Sequence, residues 1–195
     1  MAPTSDARTG RSGLRALIRT DLEQMCEGFP VTGLRLFARL AVHVRWRVPV
    51  YWRIAHAGMS NPLTRPLALM LSSRILSISG AEVQPGAHIG PGLVLKHTTG
   101  VVVGERVVAG ERLTLHQNST LGDRTPYGGQ PVLGDDVTIG AGACVLGPIT
   151  LGDRVIVAAN SVVLEDVPDD CVVAGAPARI VRRHADAPSA RDASR

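Results

Sequence analysis

The chain has 195 residues, of which 45% are hydrophobic, enough for one compact domain or for a small domain with an accessory element. Only 3% of the residues are aromatic, whereas there are 21 glycines and 13 prolines, so the core must be filled by aliphatic side chains instead of large rings. The formal net charge of +4 comes from scattered arginines without a nucleic-acid-binding motif, so we predict no nucleic-acid partner.

The first eighty residues are expected to be helical after a disordered tail at residues 1–13, which lacks the apolar core of a signal peptide. Apolar residues recur there at intervals of three and four positions, and prolines and a glycine interrupt them. Residues 14–80 are therefore predicted to form an α-helical bundle or cap. The predicted helices run from Leu14 to Met25 with Pro30 as a stop, from Leu34 to Val44, from Pro49 to Gly58, and from Pro62 or Pro66 to Ile78.

One helical segment, "RLAVHVRWRVPVYWR" at residues 39–53, combines arginines with two tryptophans. It could lie on an anionic membrane surface with Trp46 and Trp52 at the interface, or it could pack on the rest of the protein or on a neighbouring copy. We favour packing and keep a peripheral membrane contact as the alternative. No apolar stretch of 18 residues lacks an arginine, so the sequence predicts no membrane-spanning helix.

After Gly80 the apolar period changes from that of a helix to six residues, which indicates a repeat architecture. Each hexad would form one short flat side of a triangular coil, and the interior of such a coil is too narrow for aromatic rings. The fold class predicted for residues 81–183 is a mainly β, parallel β-helix of stacked coils. The repeating positions are Val83, Ile89 and Leu95, then, after a slip of two residues, Val103, Ala109, Leu115, Leu121, Leu133, Ile139, Val145, Leu151, Val157 and Val163.

Two segments depart from the hexads. Residues 122–132, "GDRTPYGGQPV", keep the phase but are rich in glycine and proline, so we predict an excursion loop of the kind that carries binding residues. Residues 184–195 are predicted to be a flexible C-terminal tail. The three cysteines lie far apart without metal-ligand spacing, which predicts reduced thiols, no metal site and a cytoplasmic protein.

Three stretches together resemble the serine acetyltransferase family of hexapeptide acyltransferases. They are "EVQPGAHIGPGLVLKHTTGVVVGE", "LGDRTPYGGQPVLGDDVTIGAGACVLGPITLGD" and "AANSVVLEDVPDDCVVAGAPARIV", and the likeness covers roughly residues 47–183. The resemblance implies a left-handed β-helix, acetyl-CoA as acyl donor and a small-molecule hydroxyl acceptor. It also implies a homotrimer with active sites between neighbouring prisms, and the trimers could pair.

The resemblance assigns the catalytic base to His97, because the family has its base before an Ala/Thr-Thr-Gly sequence. A neutral imidazole can remove the proton of a hydroxyl as it attacks a thioester, and it needs a partner on its other nitrogen. The family has an Asp fifteen residues earlier, where this chain has Glu82. Regular coils would stack His97 on Ser79, so this pair depends on the resemblance and on an irregular first coil. Gln117 and His116 are expected to stack near His97 as acceptor contacts.

Further site residues follow from the same resemblance. The amides of Gly122 and Asp123 match the family's oxyanion donors, although the family has a second Gly where Asp123 stands. Small residues on later coils should receive the pantetheine arm of CoA, and two arginines could bind its phosphates. These CoA-binding candidates are Ala141, Gly142, Ala159, Asn160, Arg179 and Arg182.

The acceptor end departs from the family pattern at two places. Lys96, the only lysine, stands where the family usually has an Asp that binds the amino group of serine. Gln130 and Gly129 replace the Arg-His pair that binds the serine carboxylate. We expect a small hydroxyl acceptor, either serine or a serine-like or natural-product intermediate. The alternatives are a sugar hydroxyl in polysaccharide or antibiotic biosynthesis, an amine acceptor on a sugar nucleotide, and a non-catalytic trimeric scaffold. We favour an acetyl-CoA-dependent O-acetyltransferase.

Overall fold

The computed structural model describes residues 13–26 and 33–183, with no side chain described for residues 33–37. The two predicted tails, apart from Gly13, and the stop at Pro30 lie outside these residues. The N-terminal helices are α1 (Leu14–Met25), α2 (Gly33–Val42), α3 (Val44–Gly58) and α4 (Arg65–Ser79).

The third helix is longer than the sequence predicts. It begins at Val44, the predicted end of the second helix, and Pro49 lies inside it instead of opening it. Proline removes one intrahelical hydrogen bond, but α3 continues because Trp46, Val48 and Trp52 are buried on both sides of Pro49. Helix α4 has Pro66 in its first turn and ends at Gly80, whose φ of 67° is the left-handed conformation that terminates helices.

Residues 81–183 form a parallel β-helix, which confirms the fold class predicted from the six-residue period. Short strands stack in register into three sheets, here called A, B and C, and the antiparallel strand β15 closes the last coil. Sheet A contains β1 (Glu82–Val83), β4 (Val102–Val103), β7 (Thr120–Gly122), β10 (Cys144–Leu146) and β13 (Val162–Val163). Sheet B contains β2 (His88–Ile89), β5 (Val108–Ala109), β8 (Val132–Leu133) and β11 (Thr150–Leu151). Sheet C contains β3 (Val94–Leu95), β6 (Thr114–Leu115), β9 (Thr138–Ile139), β12 (Ile156–Val157), β14 (Cys171–Gly175) and β15 (Ala178–Arg183).

Two positions of each hexad fill the prism, one more than the six-residue apolar period predicts. The residue two places before each repeating aliphatic residue is also buried, as Leu93 is beside Leu95 and Leu113 beside Leu115. Even Ser119 is buried in this series, because its hydroxyl donates to the carbonyl of His116 at 2.8 Å. Small and aliphatic residues at both positions leave no room for aromatic rings.

The slip of two residues falls at a corner between sheets C and A. The chain needs three residues to pass from Leu115 to the left-handed residue Asn118, but it needs five from Leu95 to the equivalent Gly100. Gly100 and Asn118 lie one above the other, since a Cβ on Gly100 would collide with Oδ1 of Asn118. The segment "KHTTG" therefore forms a corner two residues wider than the next corner of the same series.

The helices cover the open edge of the first coil. Trp52 donates its indole N–H to the carbonyl of Gln84 at 3.1 Å, and Arg53 donates to the carbonyls of Ile89 and Gly90, both at 2.6 Å. Trp52 and Trp46 are 0% and 1% exposed, so neither indole is at the surface for the membrane contact kept as an alternative. Among the described residues, no helix has the length and hydropathy needed to cross a bilayer.

Candidate active site

His97 lies in the wide corner between β3 and β4, with its side chain exposed. The backbone on both sides of it is held by the next coil, because Lys96 N–H donates to Leu115 and the carbonyl of Thr99 accepts from Asn118, both at 2.9 Å. Within residues 13–26 and 33–183, no group is hydrogen-bonded to the imidazole. The corner thus presents an exposed histidine on a backbone that the next coil holds.

Glu82 opens β1 and pairs with Val102 in sheet A. Its carboxylate accepts a hydrogen bond of 2.7 Å from the Nε2 atom of Gln84, the residue after β1, and none from His97. The structure therefore places the two members of the predicted acid-base pair at the same end of the β-helix without joining them. The Glu82–His97 hydrogen bond stays a prediction.

His116 stacks on Lys96 one coil later, because the residues before them, Leu95 and Leu115, pair in sheet C. Burial lowers the pKa of His116 below its ordinary value, and the charges of Lys96 and His97 lower this pKa further. Lys96 and His97 therefore lie close enough to His116 to influence its protonation. His116 is favoured as a neutral imidazole, which can accept a hydrogen bond from an acceptor hydroxyl.

Four of the six predicted CoA-binding residues, together with the predicted acceptor contact Gln117, continue the corner of His97 on the later coils. Gln117 accepts a hydrogen bond of 2.9 Å from the amide of Gly142, and Ala141 accepts one of 2.8 Å from the amide of Asn160. The Oε1 atom of Gln117 is buried without a hydrogen-bond partner in the described part of the chain. Ala159 precedes Asn160 and is exposed, so small side chains leave the backbone of this column accessible.

The two predicted phosphate ligands lie at the far end of the β-helix, on β15. Arg179 pairs in register with Ala174 of β14, and its guanidinium is 3.5 Å from the carboxylate of Glu165. Arg182 pairs with Val172 and is exposed. Their place beyond Ala159 and Asn160 is compatible with the distal end of a CoA molecule extended along the column.

The predicted oxyanion donors lie on a different corner, between sheets A and B. Gly122 ends β7, and the amide of Asp123 has no acceptor among the described residues. The Asp123 carboxylate accepts 2.6 Å and 2.8 Å hydrogen bonds from Gln130 and Arg106. The hydrogen bond from Gln130, followed by the charge of Arg106, lowers the pKa of Asp123 below its ordinary value, although burial opposes this shift.

Gln130 is held by the protein at both ends of its side chain. Its Nε2 atom donates to Asp123, and its Oε1 atom accepts a 2.8 Å hydrogen bond from the amide of Arg106. Gln130 thereby fastens the excursion loop to the coil below, and its polar atoms are occupied without substrate. Sequence reasoning missed the part of Arg106 in this link, because the six-residue lengthening of the coil by the loop hides which residues stack.

Several known proteins are similar to this chain in sequence or in backbone. The family model described as bacterial transferase hexapeptide (six repeats) matches residues 130–165. A serine acetyltransferase of Synechococcus elongatus is 43% identical over 134 residues, or 67% of this chain and 54% of that protein. A serine acetyltransferase of Helicobacter pylori strain J99 is 40% identical over 153 residues, or 73% of this chain and 90% of that protein.

A solved structure of a serine acetyltransferase in complex with CoA has a TM-score of 0.75 and 32% identity, covering 86% of this chain and 69% of that one. The winding of the β-helix is left-handed, as the resemblance implied. The chain spans about half the length of the first curated relatives it matches, 54% in the Synechococcus protein. The match over nearly the whole Helicobacter protein, together with the shared backbone, shows that this chain belongs to the serine acetyltransferase family.

Proposed function

We propose that the protein is an acetyl-CoA-dependent O-acetyltransferase that uses His97 as general base. The observation that carries this proposal is the position of His97, exposed on a widened corner at the foot of the column formed by Gln117, Ala141 and Ala159. The structural relative that contains CoA supports acetyl-CoA as the donor. No cluster of three metal-ligating side chains occurs in the described ranges, and the proposed chemistry needs none.

In the proposed reaction the neutral imidazole of His97 removes the proton of the acceptor hydroxyl as its oxygen attacks the thioester carbonyl. The tetrahedral oxyanion accepts a hydrogen bond from the unpaired amide of Asp123, and its collapse breaks the carbon–sulfur bond. The imidazolium returns its proton to the departing CoA thiolate. Glu82 would stabilise the imidazolium after exchanging its hydrogen bond with Gln84 for one with His97.

We propose a homotrimer as the active assembly. His97 lies on a corner between sheets C and A, whereas Asp123 lies on a corner between sheets A and B. The two residues are therefore on different corners of one prism. A neighbouring copy that presented its Asp123 corner to the His97 corner would complete the site. Each cleft would then contain residues of two subunits.

The acceptor in this proposal is serine or a serine-like hydroxyl compound, as the names of the relatives support. Lys96 and the internally bonded Gln130 argue for a difference in how its charged groups are held. The alternative acceptor is a sugar hydroxyl, which needs no charged partner for an ammonium or a carboxylate group. A panel of acceptors separates it from a serine-like acceptor.

The test compares the wild type with His97→Ala in release of free thiol from acetyl-CoA over a panel of hydroxyl and amine acceptors. We expect the variant to lose a factor on the order of 10²–10⁴ in rate, as removal of a general base does, with CoA affinity unchanged. The matched control is His88→Ala, which alters an exposed histidine on sheet B and should keep full activity. Equal rates for wild type and His97→Ala would remove His97 from the mechanism, and failure to bind acetyl-CoA would favour a scaffold.

A further inference from the structure

We propose that the acceptor carries a carboxylate or phosphate that binds in a cavity between the helical layer and β3, beside the corner of His97. This proposal rests on the proposed function and names the chemistry of its acceptor. The cavity has a volume of about 360 Å³ and contains cationic groups from two helices and from the strand end. Its lining includes Cys26, Arg39, His43, Arg45, Trp46 and Lys96.

The floor of the cavity is rigid because the helices pack on the outer face of β3. Val94 is 5% exposed there and packs in one apolar cluster with Leu22, Met25 and Trp46. Two guanidiniums lie against the Trp46 ring, that of Arg39 at 4.9 Å and that of Arg45 at 5.9 Å from the ring centre. Stacking on a buried ring restricts the rotamers of these long side chains, so a ligand would lose less entropy in ordering them.

The acidic side chains described in the helical layer do not pair with the two arginines of this cavity. The acidic side chains that the structure describes in α1 to α4 are Asp21, bonded to Arg53, and Glu23, bonded to Arg19. Arg39 instead contacts the Cys26 sulfur at 3.5 Å, a weak acceptor, and Arg45 contacts the carbonyl of Lys96 at 3.3 Å. Among the described residues, no carboxylate pairs with either guanidinium.

Arg47 in α3, by contrast, has a purely structural role. Arg47 donates to the carbonyls of Leu40 and Ala41, at the end of α2, and so satisfies the unpaired acceptors of that helix. Arg39 and Arg45 have no comparable set of acceptors in the described part of the chain. Charge-assisted hydrogen bonds to a carboxylate or phosphate would supply the strong acceptors that these donors lack.

The cavity extends to Lys96, the residue before the base, and in this proposal it holds one end of a small acceptor. Lys96 lines the cavity and precedes His97, so their Cα atoms are about 3.8 Å apart. Arg45 contacts the backbone of Lys96, which ties the anion site to the position of the base. An acceptor with its anionic group a few atoms from its hydroxyl would reach both. The cavity therefore selects hydroxy acids or phosphorylated alcohols over neutral sugars.

The test measures acetyl transfer to matched acceptors that differ only in charge, such as glycerate and its amide, with wild type, Arg45→Gln and the control Arg74→Gln. Arg74 is exposed on α4 and does not line the cavity. We expect the acid to have the lower KM in the wild type and in Arg74→Gln. In Arg45→Gln its KM should rise by roughly tenfold or more, the usual effect of losing a charge-assisted hydrogen bond, while the KM of the amide does not change.

A second arm measures binding without turnover, by calorimetric titration of glycerate and inorganic phosphate into the CoA-free protein. If no acceptor is acetylated but phosphate binds the wild type and binds Arg45→Gln about tenfold more weakly, the anion site stands and the proposed reaction fails. The anion site would be overturned if the ratio of the KM values for acid and amide were the same in Arg45→Gln and in the wild type. It would also be overturned if the wild type bound no anion. Arg39→Gln repeats the comparison if Arg45→Gln unfolds.

Discussion

At the scale of single residues, the most informative side chain is Lys96, the only lysine of the chain. It lies one coil below His116 and beside His97, and its charge is among the causes that lower the pKa of His116. A cation in this place acts against protonation of the His116 imidazole. The same cation suits an anionic acceptor group and would repel an ammonium group.

Replacing Lys96 with Gln should therefore raise the pKa of His116 toward its ordinary value. The pKa should stay below that value, because burial is the larger cause of the shift and does not change. The measurement is an NMR titration of the His116 ring protons, with Arg74→Gln as a control that leaves the pKa alone. An unchanged pKa in Lys96→Gln would show that the two side chains do not interact.

His56 predicts how stability depends on pH. Its Nδ1 atom lies 2.9 Å from the carbonyl of Pro85, and burial lowers its pKa despite this hydrogen bond. The unfolded chain therefore binds a proton at a higher pH than the folded chain, and stability falls as pH decreases through the ordinary histidine range, about 6.5, toward the lower folded pKa. His56→Gln should reduce the drop in urea-unfolding free energy between neutral and mildly acid pH. A drop of unchanged size would contradict this role.

At the scale of elements, the helices serve as a cap for the first coil. The carboxylate of Asp21 in α1 accepts from Arg53 in α3 and from the amides of Gly92 and Leu93 at 2.8 and 2.9 Å. Asp21 and Arg53 are 0% and 2% exposed. An open sheet edge presents unpaired backbone groups that invite association with other chains, and these two side chains satisfy part of that edge.

Arg53→Met should destabilise the protein by about 3–5 kcal/mol, because it leaves the Asp21 carboxylate buried without its partner. The free energy of unfolding in urea measures the change, and Arg19→Met, in the exposed pair with Glu23, is the matched control with no measurable loss expected. The double variant Asp21→Leu with Arg53→Met should recover part of the stability. A loss no larger than that of the control would show that the buried pair does not hold the cap.

The widened corner between β3 and β4 depends on Gly100. Its φ of 70° is left-handed, and an added Cβ would meet Asn118 on the next coil. Gly100→Ala should cost about 1–2 kcal/mol from the backbone conformation alone. Adding Asn118→Gly should recover only the part of the lost stability that comes from the collision with Asn118. The free energies of unfolding of both variants in urea measure this part. Full stability in Gly100→Ala would contradict the stacking described for this corner.

At the scale of the whole molecule, the candidate site is divided between two corners of the prism. The base and the small-residue column share one corner, whereas the unpaired amide of Asp123 lies on another. A single chain therefore does not assemble the proposed oxyanion donor with the base. Association of copies would unite them, and this requirement can be tested without a structure of the assembly.

Mixed assemblies of His97→Ala and Asp123→Pro should be active although each variant alone is not. Proline removes the amide donor, and in a mixed trimer some clefts would combine an intact His97 with an intact Asp123 from different subunits. Random mixing would restore roughly a quarter of the clefts in such a closed ring. Co-expression followed by the thiol assay measures the recovery, with circular dichroism to show that Asp123→Pro folds. No recovery from folded variants would place both groups in one subunit.

The sequence alone determined that residues after Gly80 form a β-helix. The six-residue period is a local property, because every coil places its own aliphatic side chains inward whatever the coil above contains. The motif "LKHTTG" likewise pointed to His97 through resemblance. The slip of two residues was visible in the sequence too, as a break in the count between Leu95 and Val103.

The tertiary structure decided what depends on partners far apart in the chain. Asp21 meets Leu93 across 72 residues, and Arg45 meets Lys96 across 51, and no periodic pattern links such positions. The excursion loop lengthens its coil, so the stacking of Arg106, Asp123 and Gln130 could not be counted from hexads. Local periodicity specifies an element because each residue acts on its neighbours in the chain. A site forms where separate elements contact each other, and those contacts are determined by tertiary packing.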